Sequence, residues 1–193
     1  GIPCEKGFPR SENCEGLSMT VITLIGLRGS GKSSVAAPLA ARQNADWIDA
    51  DDEIERRAGK SITEIFADEG EPHFRQLERA VMQDLLSRES LIIAAGGGAI
   101  LNAETRAEMQ TAGPVVWLNA SVAALEQRIN QDATTDSRRP ALTTRASQRE
   151  EIQHLLEQRE PLYREAATMI IQTDDKSVTQ IVDEIISALD SPS

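Results

Sequence analysis

Apolar residues along this chain fall into two alternating rhythms. Short unbroken runs, Val21-Ile22-Thr23-Leu24-Ile25, Trp47-Ile48-Asp49, Leu91-Ile92-Ile93-Ala94-Ala95, Val115-Val116-Trp117-Leu118 and Met169-Ile170-Ile171, read as strands. Between them, apolar positions recur three and four apart, as a helix with one buried face requires. Val35, Ala36, Leu39 and Ala40 mark a helix over 32–41, with Pro38 predicted to kink it near its middle. Asp51-Asp52-Glu53-Ile54-Glu55 opens another, where acidic residues suit the helix dipole. Ser61-Ile62-Thr63-Glu64 is a capping box for a helix that buries Ile62, Ile65 and Phe66 and stops at Gly70-Glu71-Pro72. Further helices are predicted through Phe74, Leu77, Val81, Leu85 and Leu86, over 103–112 up to Gly113-Pro114, from Ser121 to Gln131, through Ile152, Leu155, Leu156 and Arg159, and around Ile181, Ile185 and Ile186. The strands are apolar throughout rather than on alternate positions, which predicts a parallel α/β sheet covered by helices on both faces.

Two stretches carry neither rhythm. Residues 1–18, with Pro3, Gly7, Pro9 and Gly16 among charges, are expected to be a disordered extension. Residues 132–149, rich in Thr, Ser and Arg around Pro140, are expected to be a mobile surface loop whose length alone points to a function. The remaining 19–193 suits one domain with a sizeable core. Cys4 and Cys14 both lie in the extension, so disulfides do not frame the fold, and no histidine stands near them to complete a metal site.

Composition then narrows the partners. Twenty basic against thirty-one acidic residues give a net charge of −11, which argues against nucleic acid and against an anionic membrane surface. No apolar run approaches the ~20 residues of a membrane span, and the first residues lack the apolar core of a secretory signal, so a cytoplasmic protein is expected.

Chemistry enters directly after the first strand. Gly26-Leu27-Arg28-Gly29-Ser30-Gly31-Lys32-Ser33 reads as a phosphate-binding loop: glycines let the chain turn with its amides inward, a helix N-terminus follows, and Lys32 adds an ammonium. Ser33 would offer its hydroxyl to the Mg²⁺ that accompanies a nucleotide. In parallel sheets ligands bind beyond the carboxyl ends of the strands, and those ends hold Asp49 and Asp51, Gly96-Gly97-Gly98, and Asn119. Two carboxylates beside a phosphate loop suit metal positioning plus a base, although an acidic start to a solvated helix has the same pattern. Three glycines closing a strand imply a backbone approached very closely. Arg75, Arg139 and Arg159 are unremarkable singly; together in an acidic protein they point to an anionic substrate, because guanidinium forks grip carboxylates at two points.

From about Met19 to Leu189 these motifs, in this order, resemble the shikimate kinases. The resemblance rests on GLRGSGKS, the paired aspartates of Asp49-Ala50-Asp51, Phe74-Arg75 with Glu78, the triplet Gly96-Gly97-Gly98, Arg139-Pro140, and Arg159-Glu160-Pro161-Leu162-Tyr163. It implies a P-loop NTPase-type, five-stranded parallel sheet, with a substrate-binding region over about 51–86 and a lid over about 132–149. It implies transfer of the γ-phosphoryl of ATP to the 3-hydroxyl of shikimate, a step of aromatic amino acid biosynthesis, with ATP and Mg²⁺ required and a monomer as the working unit. Residue by residue, it implies that Gly29, Ser30, Gly31, Lys32, Ser33 and Ser34 hold the nucleotide, with Arg128 against adenine. Asp51, Arg75, Gly97, Gly98 and Arg159 would hold shikimate. Asp51 would orient the accepting hydroxyl, Lys32 and Arg139 would spread the charge of the moving phosphoryl group, and Ser33 with Asp49, the latter through water, would support Mg²⁺.

Ala95 departs from the family, which often has Ser or Thr before the triplet, and Thr143 to Gln148 match no family pattern. Two other readings stay open on sequence: a gluconate kinase of the same fold, whose pattern couples strand two to Asp-Gly-Asp, and a non-catalytic sensor. The joint presence of Lys32, Ser33, Asp49, Asp51 and Arg139 argues against the sensor, because binding alone requires neither base nor lid arginine.

Overall fold

The computed structural model describes residues 20–131 and 145–191. Its order is β1 (Ile22–Ile25), α1 (Lys32–Gln43), β2 (Asp46–Asp49), α2 (Ala50–Ala58), α3 (Ile62–Leu86), β3 (Leu91–Ala94), a 3-10 turn (Ala99–Leu101), α4 (Ala103–Ala112), β4 (Val115–Asn119), α5 (Val122–Gln131), α6 (Arg145–Ala166), β5 (Met169–Gln172) and α7 (Val178–Asp190). The five strands form one parallel sheet in the order β2-β3-β1-β4-β5.

Strand side chains alternate between two core layers. Ile22, Leu24, Ile92, Ala94, Val116 and Leu118 pack with Val35, Ala36, Leu39 and Ala40 of α1 and with Ile181, Val182 and Ile185 of α7. Ile25, Ile93, Val115 and Trp117 face the opposite layer, which holds Ile54 of α2, Phe74 and Met82 of α3, Met109 of α4, Leu125 of α5 and Tyr163 of α6. The central strands are continuous apolar runs because both of their faces are covered. The edge strand β2 is not, and Trp47 remains 41% exposed.

The chain leaves β1 toward α1 on one face and leaves β3 toward α4 on the other. These two strands are hydrogen-bonded neighbours, so a crevice opens between their carboxyl ends, where such sheets take ligands.

Several boundaries differ from expectation. α1 runs unbroken through Pro38; its apolar face packs against the sheet, and that burial tolerates one lost backbone bond. β3 ends at Ala94, so Ala95 already belongs to the glycine turn. α3 carries the predicted break at Gly70, whose φ of 82° and ψ of 172° suit glycine alone, but helix resumes at once on both sides. The 3-10 turn has no periodicity that a sequence could show. α6 begins at Arg145, inside the stretch predicted to be loop through 149, and runs on through Pro161. The expected extension 1–18 and most of the expected lid, Arg139 included, lie outside the described residues.

Candidate active site

The phosphate loop turns between β1 and α1. Among the helices that open on a described cap, α2, α3, α4 and α7 each have their first amides bonded by a side chain, from Asp49, Ser61, Asn102 and Ser177. α1 opens on Gly31 with no side-chain cap. No side chain competes with an anion at its first turn, and the helix dipole favours one there. The Lys32 ammonium lies over the same loop, donating to the carbonyls of Gly26 at 2.9 Å and Leu27 at 3.0 Å.

Beside the loop, the Ser33 hydroxyl donates to Asp49 Oδ2 at 2.5 Å, while Asp49 Oδ1 accepts the amides of Asp51 at 2.9 Å and Asp52 at 3.4 Å. One carboxylate therefore ends β2, caps α2 and touches the phosphate loop. That local bond fixes where Asp51 starts on α2. Register places Asp49 opposite Ala94, which aligns α2 with the turn after β3.

That turn gathers the other half of the site. A methyl group placed on Gly96 would lie 2.7 Å from Asp51 Oδ1 and 3.0 Å from Glu78 Oε1. On Gly97 it would lie 3.5 Å from Arg159 Nη1 and 3.6 Å from the Gly26 carbonyl, so donor loop and triplet lie side by side. On Gly98 it would lie 2.9 Å from Arg75 Cζ. Three consecutive residues thus each lie beside a charged side chain, from α2, α6 and α3; at Gly96 and Gly98 the distances leave no room for Cβ, whereas at Gly97 a Cβ would make ordinary contact.

Those side chains are held in turn. Arg75 donates from Nη1 to the buried Glu78 at 2.7 Å, and from Nη2 and Nε to Glu71 at 3.1 and 3.3 Å. Burial works against its charge, but Glu78 and Glu71 outweigh that and hold the guanidinium above its ordinary pKa. Its Cζ stands 5.2 Å from the Phe74 ring centroid, which fixes the start of the side chain. Arg159 Nη1 donates to the Gly97 carbonyl at 3.1 Å, and the buried Tyr163 hydroxyl donates to the same oxygen at 2.8 Å. On the donor side, Arg128 donates to the Gly29 carbonyl at 3.4 Å and to Thr173 Oγ1 and O at 2.9 and 2.8 Å, which sets its guanidinium at the edge of the phosphate loop.

Sequence reasoning gave no role to Tyr163 or Thr173. Tyr163 is the sole tyrosine of the chain and was a signal in itself. Thr173 follows β5 and so stands at a strand end, where the rule for parallel sheets directs attention. Asn119, picked by that rule, is occupied otherwise: its side chain donates to Gln172 at 3.2 Å and its carbonyl accepts from Thr173 N at 2.9 Å.

A phosphate loop joined to a pocket of two arginines and a carboxylate is chemistry for moving a phosphoryl group to an anionic alcohol. Comparison with known proteins decides which. The profile of the shikimate kinase family matches residues 28–190. This chain belongs to the shikimate kinase family. It is 42% identical over 168 residues to a shikimate kinase of Rhodopirellula baltica, covering 87% of this chain and 89% of that one. Among solved structures, the shikimate kinase of Acinetobacter baumannii in complex with shikimate superposes with a TM-score of 0.82 at 35% identity, covering 89% of this chain and 93% of the other. A gluconokinase from Sinorhizobium meliloti superposes with a TM-score of 0.54 at 18% identity, a likeness of fold alone. The chain is an ATP-dependent kinase of this family with shikimate as its acceptor, on the sheet that its sequence implied.

Proposed function

We propose that the residues gathered at the triplet divide the reaction as follows. The amides at the start of α1, with Lys32, Ser33 and Ser34, bind the β- and γ-phosphates of ATP, and Gly29, Ser30 and Gly31 bring the backbone close enough to do so. Arg128 supports adenine by stacking. Arg75 and Arg159 grip the shikimate carboxylate, and the amides of Gly97 and Gly98 complete that pocket. Asp51 accepts a hydrogen bond from the 3-hydroxyl, aligns it with the γ-phosphorus and takes up its proton as the new oxygen–phosphorus bond forms and the bond from the γ-phosphorus to the departing ADP oxygen breaks. Lys32, joined by Arg139 from the lid, stabilises the charge on the equatorial phosphoryl oxygens.

Ser33 and Asp49 fit Mg²⁺. Both donors are oxygens, they already touch, and Mg²⁺ keeps several waters and phosphate oxygens rather than demanding a cage of protein ligands. Once bound there, the ion would neutralise charge on the bridging phosphates; Asp49 would reach it through water. Because both halves of the site come from one chain, a monomer suffices.

The observation that carries this reading is the convergence of Asp51, Glu78, Arg159 and Arg75 on three successive glycines. ADP release from purified protein with ATP and Mg²⁺, measured with shikimate and with gluconate in parallel, tests it. Turnover is expected with shikimate. Turnover with gluconate and none with shikimate would overturn the acceptor assignment.

A further inference from the structure

We propose that Arg106, on α4 and outside the pocket, is a positioning residue for the shikimate site, acting as a brace that keeps the glycine triplet and α6 in register. The proposal rests on the assignment of Arg159 and Gly97 to the acceptor pocket.

Its side chain is only 12% exposed, an unusual place for a guanidinium unless its charge is paired. Nη1 donates to the carbonyl of Ile100 at 2.7 Å and more weakly to that of Leu101 at 3.4 Å. Nε donates to Glu165 Oε1 at 3.1 Å. The first pair of contacts falls on the 3-10 turn that continues directly from the triplet. That turn is stitched back onto it by Ala99 N to Gly96 O and Leu101 N to Gly98 O, both 3.0 Å. The other contact falls on α6, two residues beyond Tyr163. One helical turn along α4, Gln110 Nε2 donates to the Glu165 carbonyl at 2.7 Å, so α4 holds this end of α6 at two points.

The contacts close a circuit. Starting from Gly97, the chain runs through the 3-10 turn to Arg106, across to Glu165, back along α6 to Tyr163 and Arg159, and from both of these to the Gly97 carbonyl. Gly97 and Arg159 meet inside the pocket, while Arg106 fixes the spacing of the same two elements from behind. Without it, the pocket contacts, Gln110 and non-directional apolar packing must hold α6 against the turn. Shikimate then meets a carboxylate clamp whose two arginines are no longer held at a fixed separation. The donor loop, reached by no member of the circuit's outer arm, keeps its geometry.

Steady-state kinetics with ATP and shikimate varied separately, accompanied by thermal melting, would test this on Arg106→Gln, Arg106→Lys, Glu165→Gln and Arg159→Lys. Arg106→Gln is expected to raise KM for shikimate about tenfold, as a misplacement well under 1 Å would, with KM for ATP changed less than about twofold. Arg106→Lys should recover part of the loss by keeping one of the two links. A brace of purely structural value would lower the melting temperature and leave both KM values alone, or raise them in proportion; either result overturns the proposal. Should Arg106→Gln fail to fold, Glu165→Gln decides, with a rise of about threefold expected in KM for shikimate alone and an unchanged value counting against the brace. Arg159→Lys separates the two levels. No effect there removes the underlying pocket assignment, whereas an effect at Arg159 with none at Arg106 or Glu165 removes only the circuit.

Discussion

The donor and acceptor halves of the site lie side by side at Gly97 and are built on opposite principles. The donor half is one continuous stretch, Gly26 to Ser34, in which a strand, a turn and a helix follow one another and the binding groups are chiefly backbone amides. The acceptor half is assembled from α2, α3, the triplet and α6, whose residues lie far apart in the chain and are fixed by charged hydrogen bonds: Arg75 to Glu78 and Glu71, Arg159 and Tyr163 to Gly97. A local device keeps its shape wherever β1 and α1 fold. A composite one depends on how several helices pack, so distant substitutions can damage acceptor binding while leaving nucleotide binding intact.

The sharpest way to break that division is at Asp51, whose carboxylate lies against Gly96 on the acceptor side. Asp51→Asn keeps the shape and removes the proposed proton acceptor. Turnover should fall by about three orders of magnitude, while ADP affinity measured by equilibrium titration stays unchanged. A comparable loss of nucleotide affinity would show that the halves are not separable.

A paired substitution tests the same division by crowding. Gly98→Ala would set a methyl 2.9 Å from Arg75 Cζ, and Glu78 with Glu71 leave that guanidinium little freedom to retreat. KM for shikimate should rise about 10- to 100-fold with KM for ATP steady. Gly26→Ala is the mirror image: the methyl would meet Ser30 Oγ at 2.6 Å and the Leu118 carbonyl at 2.8 Å, on backbone with a φ of +150°. ATP affinity should then suffer and shikimate affinity should not. If both variants weaken both ligands equally, the contact at Gly97 transmits more than the circuit described above.

How far each half was legible follows from the same contrast. The strand, loop and first helix were readable because each depends on its own few residues, and the capping box at Ser61 was readable for the same reason. Asp49 was marked as a metal residue, but its second task, capping α2, emerges only once β2 and α2 meet at that residue. The arginines could be suspected as a group from charge alone. Their pairing with Gly97 and Gly98 required the tertiary path of α3 and α6. Arg106 has no local signature, because a lysine or arginine on an amphipathic helix is usually a solvated charge. The start of α6 is not legible because residues 145–149 carry too few apolar positions to reveal helical periodicity, and helix there is continued from the buried segment beginning at Ile152.

A smaller effect is expected at Arg128, which joins the Gly29 carbonyl to Thr173 on the donor side. Arg128→Ala should raise KM for ATP about fivefold, the size of one cation–π contact, and leave KM for shikimate unchanged. Loss confined to shikimate would place the residue in the wrong half.

The mildest test concerns what anchors the acceptor half rather than what binds in it. Glu53 on α2 is nearly buried and takes hydrogen bonds from Arg56 at 2.7 and 2.8 Å and from Arg57 at 2.7 Å; Arg57 reaches on to Asp84 of α3 at 2.5 Å. The bond from Arg56 is the main cause that lowers the Glu53 pKa from 4.5 to about 2, with burial opposing it and Arg57 adding to it. A carboxylate whose folded pKa is depressed stabilises the fold fully above its unfolded value and loses that contribution as pH falls through the folded one. The Glu53 contacts that hold Arg57 in place for Asp84 should therefore be intact at neutral pH, weaken below about 4.5 and be lost as pH falls through about 2. Glu53→Gln should lower the melting temperature at pH 7 by about 3–6 °C, in line with ~1–2 kcal/mol for a chain of this size, and the gap to the parent protein should close over that acid window. Both KM values should stay within about twofold, since the pocket contacts of Asp51 and Arg75 remain. A gap that persists at pH 2, or none at pH 7, would mean that α2 is held by its apolar contacts through Ile54 rather than by charge. The acceptor half would then be less dependent on ion pairs than its pocket suggests.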